Sequence, residues 1–147
     1  MPTATSAEAR ITFLDTSVAI ALAVEDHEAH AATLETLRGR QLGLAGHAWF
    51  ETYSVLTRLP GAQRRSPADA LRLLDHNFRA SAFLGEAESV ELGREIARLG
   101  VSGGAVYDAL VGAAARQHGR RLVSSDARAR PVYEALGVDL EVISTPH

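Results

Sequence analysis

Apolar residues recur along this chain in two rhythms, and the rhythms alternate. Short apolar runs read as buried strands: ITFL (Ile11–Leu14), QLGLAG (Gln41–Gly46), RASAFLG (Arg79–Gly85), RLVSS (Arg121–Ser125) and DLEVIS (Asp139–Ser144). Between them the period lengthens to that of helices. SVAIALAV is apolar throughout, and HEAHAATLETLRG repeats Ala31, Leu34 and Leu37 before stopping at Gly39. HAWFETYSVLTRL sets Trp49, Tyr53 and Leu56 on one side and is broken by Pro60-Gly61. Ser66-Pro67 opens a further helix as N-cap and first-turn proline. EAESVELGREIARLG ends at Gly100, a helix from about Val106 to His118 ends at Gly119, and PVYEALG closes on Gly137. Strands alternating with helices predict an α/β domain: a parallel sheet of about five strands with helices on both faces.

That architecture says where the acids fall. A helix from Asp108 to His118 advances about 15 Å at about 1.5 Å per residue. The strand that follows returns roughly 17–20 Å by Asp126. The start of the helix and the end of the strand therefore share one edge of the sheet. Asp15 ends the first strand at that carboxyl edge, and Glu51 lies about a turn into the helix after the second. Open α/β sheets place their sites there.

Each acid also has an ordinary use. Asp15, Asp108 and Asp126 could be helix N-caps, worth roughly 0.5–2 kcal/mol each, and Glu51 a solvated glutamate. Caps alone do not call for four acids at one edge. Such a cluster is unfavourable unless protons or cations neutralise it, and oxygen-only donors suit magnesium or manganese. Thr16, Ser17 and Ser124 stand where their hydroxyls would bond the carboxylates from behind. The histidines of VEDHEAH, His27 and His30, read as a solvated face rather than a metal cluster.

Composition narrows the chemistry. The 147 residues, 46% hydrophobic and 22% charged, suit one domain over residues 11–147, with residues 1–10 (MPTATSAEAR) expected to be a disordered tail. No apolar run approaches the roughly 18 residues of a membrane span, so a cytoplasmic protein with no membrane partner is expected. Zero cysteines exclude disulfides and thiolate sites. All fifteen basic residues are arginine, which excludes a phosphate-loop lysine and a Schiff base. The formal charge of −3 becomes +1 once the four acids are set aside. Arg64, Arg65 and Arg128 are then candidates for phosphate contacts.

Asp15-Thr-Ser after the first strand, Glu51 in HAWFETYSVLTRLP, Asp108 in YDALVGAA and Asp126 in LVSSD together resemble the PIN-domain ribonucleases. The likeness is greatest to the VapC toxins of bacterial toxin–antitoxin pairs and runs from Ile11 to Ile143. It implies a magnesium- or manganese-dependent endoribonuclease with Asp15, Glu51, Asp108 and Asp126 as the catalytic, metal-holding quartet. It also implies an RNA substrate, products with 5′-phosphate and 3′-hydroxyl ends, a homodimer and a VapB-type antitoxin as partner. One departure stands out: some relatives carry a further acid just past Asp126, where this chain has Ala-Arg-Ala-Arg. Two other classes fit the residues: a magnesium-dependent phosphohydrolase of small esters, and a catalytically silent module whose acids bind a partner's arginines.

Overall fold

A computed structural model describes residues 11–144. Four strands, β1 (Ile11–Leu14), β2 (Gln41–Leu44), β3 (Arg121–Ser124) and β4 (Leu140–Val142), form one sheet in the order β2-β1-β3-β4. All three pairings are parallel. Among the described residues seven α-helices accompany them: α1 (Thr16–Ala23), α2 (His30–Leu37), α3 (Ala48–Thr57), α4 (Pro67–Asn77), α5 (Glu86–Leu99), α6 (Ala105–Gln117) and α7 (Arg130–Ala135), with a 3-10 turn at Gly61–Gln63. The expected tail at residues 1–10 lies outside the described residues. No helix among the described residues is long and apolar enough to cross a membrane.

Strand alternation divides the core in two. Successive strand side chains point to opposite faces. Leu14, Leu44 and Val123 accordingly join the cluster built with α1, α2, α3 and α4, around Val18, Leu37, Leu56 and Leu74. Their neighbours Phe13, Ala45 and Leu122 face the other way and pack with Val111, Ala114 and Tyr133 of α6 and α7. The sheet is covered on both faces, which is why its central strands read as largely apolar runs.

The expected strand at Arg79–Gly85 does not form, so the sheet has four strands rather than five. The segment makes only two isolated bridges to β2 and its end, antiparallel at Gly43–Arg79 and parallel at Ala45–Ala82. A regular ladder is interrupted by Ser81, whose Oγ accepts the Leu44 N–H at 2.9 Å and donates to Phe78 O at 2.6 Å. Gly43 permits the crossing. A Cβ there would lie 2.5 Å from Ala80 O and 2.6 Å from Ser81 N. The segment caps the sheet's edge and does not extend it.

Because the strands are parallel, their carboxyl ends align. Leu14 pairs with Leu44 on one side and with Val123 on the other. The chain leaves β1 toward β2 and later returns on β1's other side as β3, so the direction of winding reverses beside β1's end.

Candidate functional site

Asp15 follows β1 directly and is only 3% exposed. Its extended backbone makes it the N-cap of α1, with Oδ1 accepting the Val18 N–H at 3.3 Å. Ser17 Oγ donates to the same oxygen at 2.5 Å, and Tyr133 OH donates to Oδ2 at 3.1 Å. Burial pushes the Asp15 carboxyl above its usual range, while hydrogen bonds from Ser124, Ser17, Val18 and Tyr133 act the other way. Tyr133 is itself held protonated, by burial first and then by the charge of Asp15, so it stays a donor.

Glu51 lies in the first turn of α3 and receives Thr16 Oγ1 at 3.4 Å. Burial raises its carboxyl. The nearby His47 and the Thr16 bond oppose that, and the charges of Asp15 and Asp126 add to it. Asp108 lies in the first turn of α6, past the N-cap position, which belongs to Gly104. Its carboxyl is raised to about 6, by burial first and then by Asp126, Glu51 and Asp15, with Arg128 opposing. Asp126 lies two residues beyond β3. Its Oδ1 accepts the Arg128 N–H at 2.9 Å and its own N–H goes to Ser124 Oγ at 3.1 Å, which turns the chain. The N-cap of α7 is Ala129.

Of the three possible caps, only Asp15 is one. The four acids form a single electrostatic neighbourhood, since Asp108 feels each of the others. Among the described residues no three His, Cys, Asp or Glu side chains make a ready metal cage. The acids share an edge and repel one another without converging on one point.

The geometry can be set beside known proteins. A family model described as PIN domain matches residues 12–135. The chain belongs to the PIN-domain family. Within it the chain groups with the VapC proteins. It is 49% identical over 129 residues to "Ribonuclease VapC27" of Mycobacterium tuberculosis, covering 88% of this chain and 94% of that one. It is 41% identical over 132 residues to "Ribonuclease VapC40" of the same species, covering 88% and 97%. Two solved structures share the fold. "VapBC2 from Rickettsia felis bound to a DNA fragment from their promoter" has a TM-score of 0.64 at 14% identity over 91% of this chain and 99% of that one. "FitAB bound to IR36 DNA fragment" has 0.62 at 18% over 90% and 94%.

This PIN domain brings together the acids and hydroxyls singled out from the sequence, but only one of the three arginines. Arg128 is almost fully exposed, with Nε 3.6 Å from Asp126 Oδ1. Arg64 and Arg65 follow the far end of α3, which leads away from Glu51; Arg64 Nε donates to Leu59 O at 2.9 Å. Both VEDHEAH histidines make backbone hydrogen bonds. His30 Nδ1 is 3.0 Å from Ala21 O, and His27 Nδ1 accepts the Ala29 N–H at 3.0 Å. Sequence reasoning missed Tyr133 and His47. Tyr133 was legible in part, since a tyrosine in a short buried helix needs a partner for its hydroxyl.

Proposed function

We propose that this PIN domain is a metal-dependent endoribonuclease, the toxin of a toxin–antitoxin pair, with Asp15, Glu51, Asp108 and Asp126 as its metal-holding residues. The observation that carries the reading is that these four carboxylates line one sheet edge, where the other three each raise Asp108, in a chain 49% identical to a protein named as a ribonuclease. Their donor set fits a hard divalent cation. All donors are oxygens, and burial and mutual repulsion leave a charge cost that a cation relieves.

When bound, magnesium or manganese lowers the pKa of water and stabilises charge on the phosphate and the leaving oxygen. The chain's own residues set the stage for that chemistry. Ser17 and Tyr133 hold the two oxygens of Asp15 from opposite sides, so its rotamer is set before any ligand arrives. Ser17 also accepts the Ser125 N–H at 3.0 Å, tying the start of α1 to the loop carrying Asp126. Thr16 orients Glu51. Arg128, at the rim, meets an RNA phosphate with its guanidinium.

The partner reading is a VapB-type antitoxin that covers the acidic edge through an inserted cation, with the toxin as a homodimer. Its support is the VapC relationship and the fold shared with the VapBC2 and FitAB structures. The deciding experiment offers RNA and a model phosphate monoester to the purified chain, with magnesium or manganese and then with chelator. RNA should be cut only with metal, leaving 5′-phosphate ends, and Asp15→Asn should lose at least about a hundredfold in rate. Preference for the monoester would favour a small-ester phosphohydrolase. No turnover of either would leave an interaction module.

A further inference from the structure

Exposed rings stand beside the acidic edge. Phe50, Phe83 and Tyr107 are 57%, 47% and 52% exposed. They are not scattered. The rings of Phe50 and Phe83 lie 6.0 Å apart, and His47 stacks on Tyr107 at 5.1 Å with 21° between planes. Chain order ties them to the acids: Phe50 precedes Glu51, Tyr107 precedes Asp108, and His47 is one turn before Glu51. A shallow groove of about 350 Å³ along α3 contains His47, Phe50, Glu51, Thr16, Ser54 and Arg58.

From this juxtaposition we infer that His47, Phe50, Phe83 and Tyr107 form a stacking shelf for an unpaired nucleobase next to the phosphate held at the acidic edge. Arg58 takes a neighbouring phosphate along the groove. The inference rests on the ribonuclease reading and adds what selects the RNA. Aromatic rings hold any base by its π-face and need that base out of a duplex stack, so the shelf favours loops and single strands. A base reaches the rings from the acidic edge itself, because Phe50 and Tyr107 each adjoin an acid in the chain, Glu51 and Asp108.

The test uses a short unstructured oligoribonucleotide and a series in which one base at a time is removed to leave the sugar–phosphate backbone. Binding is measured in an Asp15→Asn background, and cleavage with the unsubstituted chain. The unsubstituted shelf should lose roughly 5- to 100-fold in affinity when the base beside the cut is missing. Phe50→Ala and Tyr107→Ala should lose a similar factor on intact RNA and become indifferent to that missing base, and Phe50→Trp should restore the response. The scan on the unsubstituted shelf decides the matter even if a variant folds poorly. A flat abasic profile, or variants that keep the response to the missing base, would overturn the shelf while cleavage left the ribonuclease reading standing. Sedimentation showing that Phe50→Ala splits a dimer with RNA binding unchanged would overturn it too, in favour of a second copy. RNA that is neither bound nor cut would remove both readings.

Discussion

The Tyr133 hydroxyl donates to Asp15 Oδ2 at 3.1 Å, joining two residues 118 positions apart. Both are buried, so neither has water as an alternative partner. A hydrogen bond to a buried charged group is worth about 1.5–3 kcal/mol. Tyr133→Phe should therefore lower the melting temperature at neutral pH by roughly 3–12 °C for a domain of this size. Cleavage should weaken as well, because one side of Asp15 becomes free. An unchanged melt would mean that this bond contributes nothing to the fold.

Asp126 repels Asp108 and Glu51, and its turn to the Arg128 N–H needs only a carbonyl oxygen. Asp126→Asn keeps that oxygen and removes the charge. Without metal the variant should be as stable as the unsubstituted chain or more so. Metal that binds only the folded state stabilises by about 2.7 kcal/mol at a hundredfold excess over Kd. Melts with chelator and then with manganese should show a clear gain for the unsubstituted chain and a much smaller one for Asp126→Asn. Equal gains would take Asp126 out of the metal site.

Burial and three neighbouring acids hold the Asp108 carboxyl at about 6 against an ordinary 3.8. Between those values the folded chain binds the proton more tightly than the unfolded one. The stability this group contributes is complete below about pH 4 and lost as pH rises through 6. Glu95 and Glu141 run the other way. Their carboxyls are lowered by hydrogen bonds from Arg116 and Arg40, so their contribution is present above 4.5 and fades on acidification. With chelator present, stability should peak between these windows and decline toward pH 7. Asp15 and Glu51 are raised as well and share in that decline, so Asp108→Asn should lessen it; an identical decline in the variant would refute the assignment.

Gly43 tests why the fifth strand fails. A methyl group there would press on the Ala80–Ser81 backbone, which has no side chain to move aside. Gly43→Ala should cost about 3 kcal/mol or more, at the upper end for overpacking. Chemical denaturation reads this directly, and a loss under about 1 kcal/mol would mean that the crossing segment is easily displaced.

Much of this was legible without coordinates. Gly39, Gly100 and Gly119 end their helices with positive φ, where a side chain is disfavoured, and Ser66 accepts the Asp69 N–H at 3.1 Å as an N-cap. Four acids at one edge followed from parallel strands and the helices between them, because such strands all finish on the side where the connecting helices begin. Tertiary structure decided what local pattern cannot carry. Arg79–Gly85 is as apolar as a strand, yet Ser81 and the bare Gly43 turn it into a crossing. Asp15, Asp108 and Asp126 looked alike as caps, and only their distance from the first helical turn separated them. The Tyr133–Asp15 bond and the ring pairs join residues dozens of positions apart. Periodicity encodes which face a residue takes on its own element, and nothing in it says which distant element that face will meet.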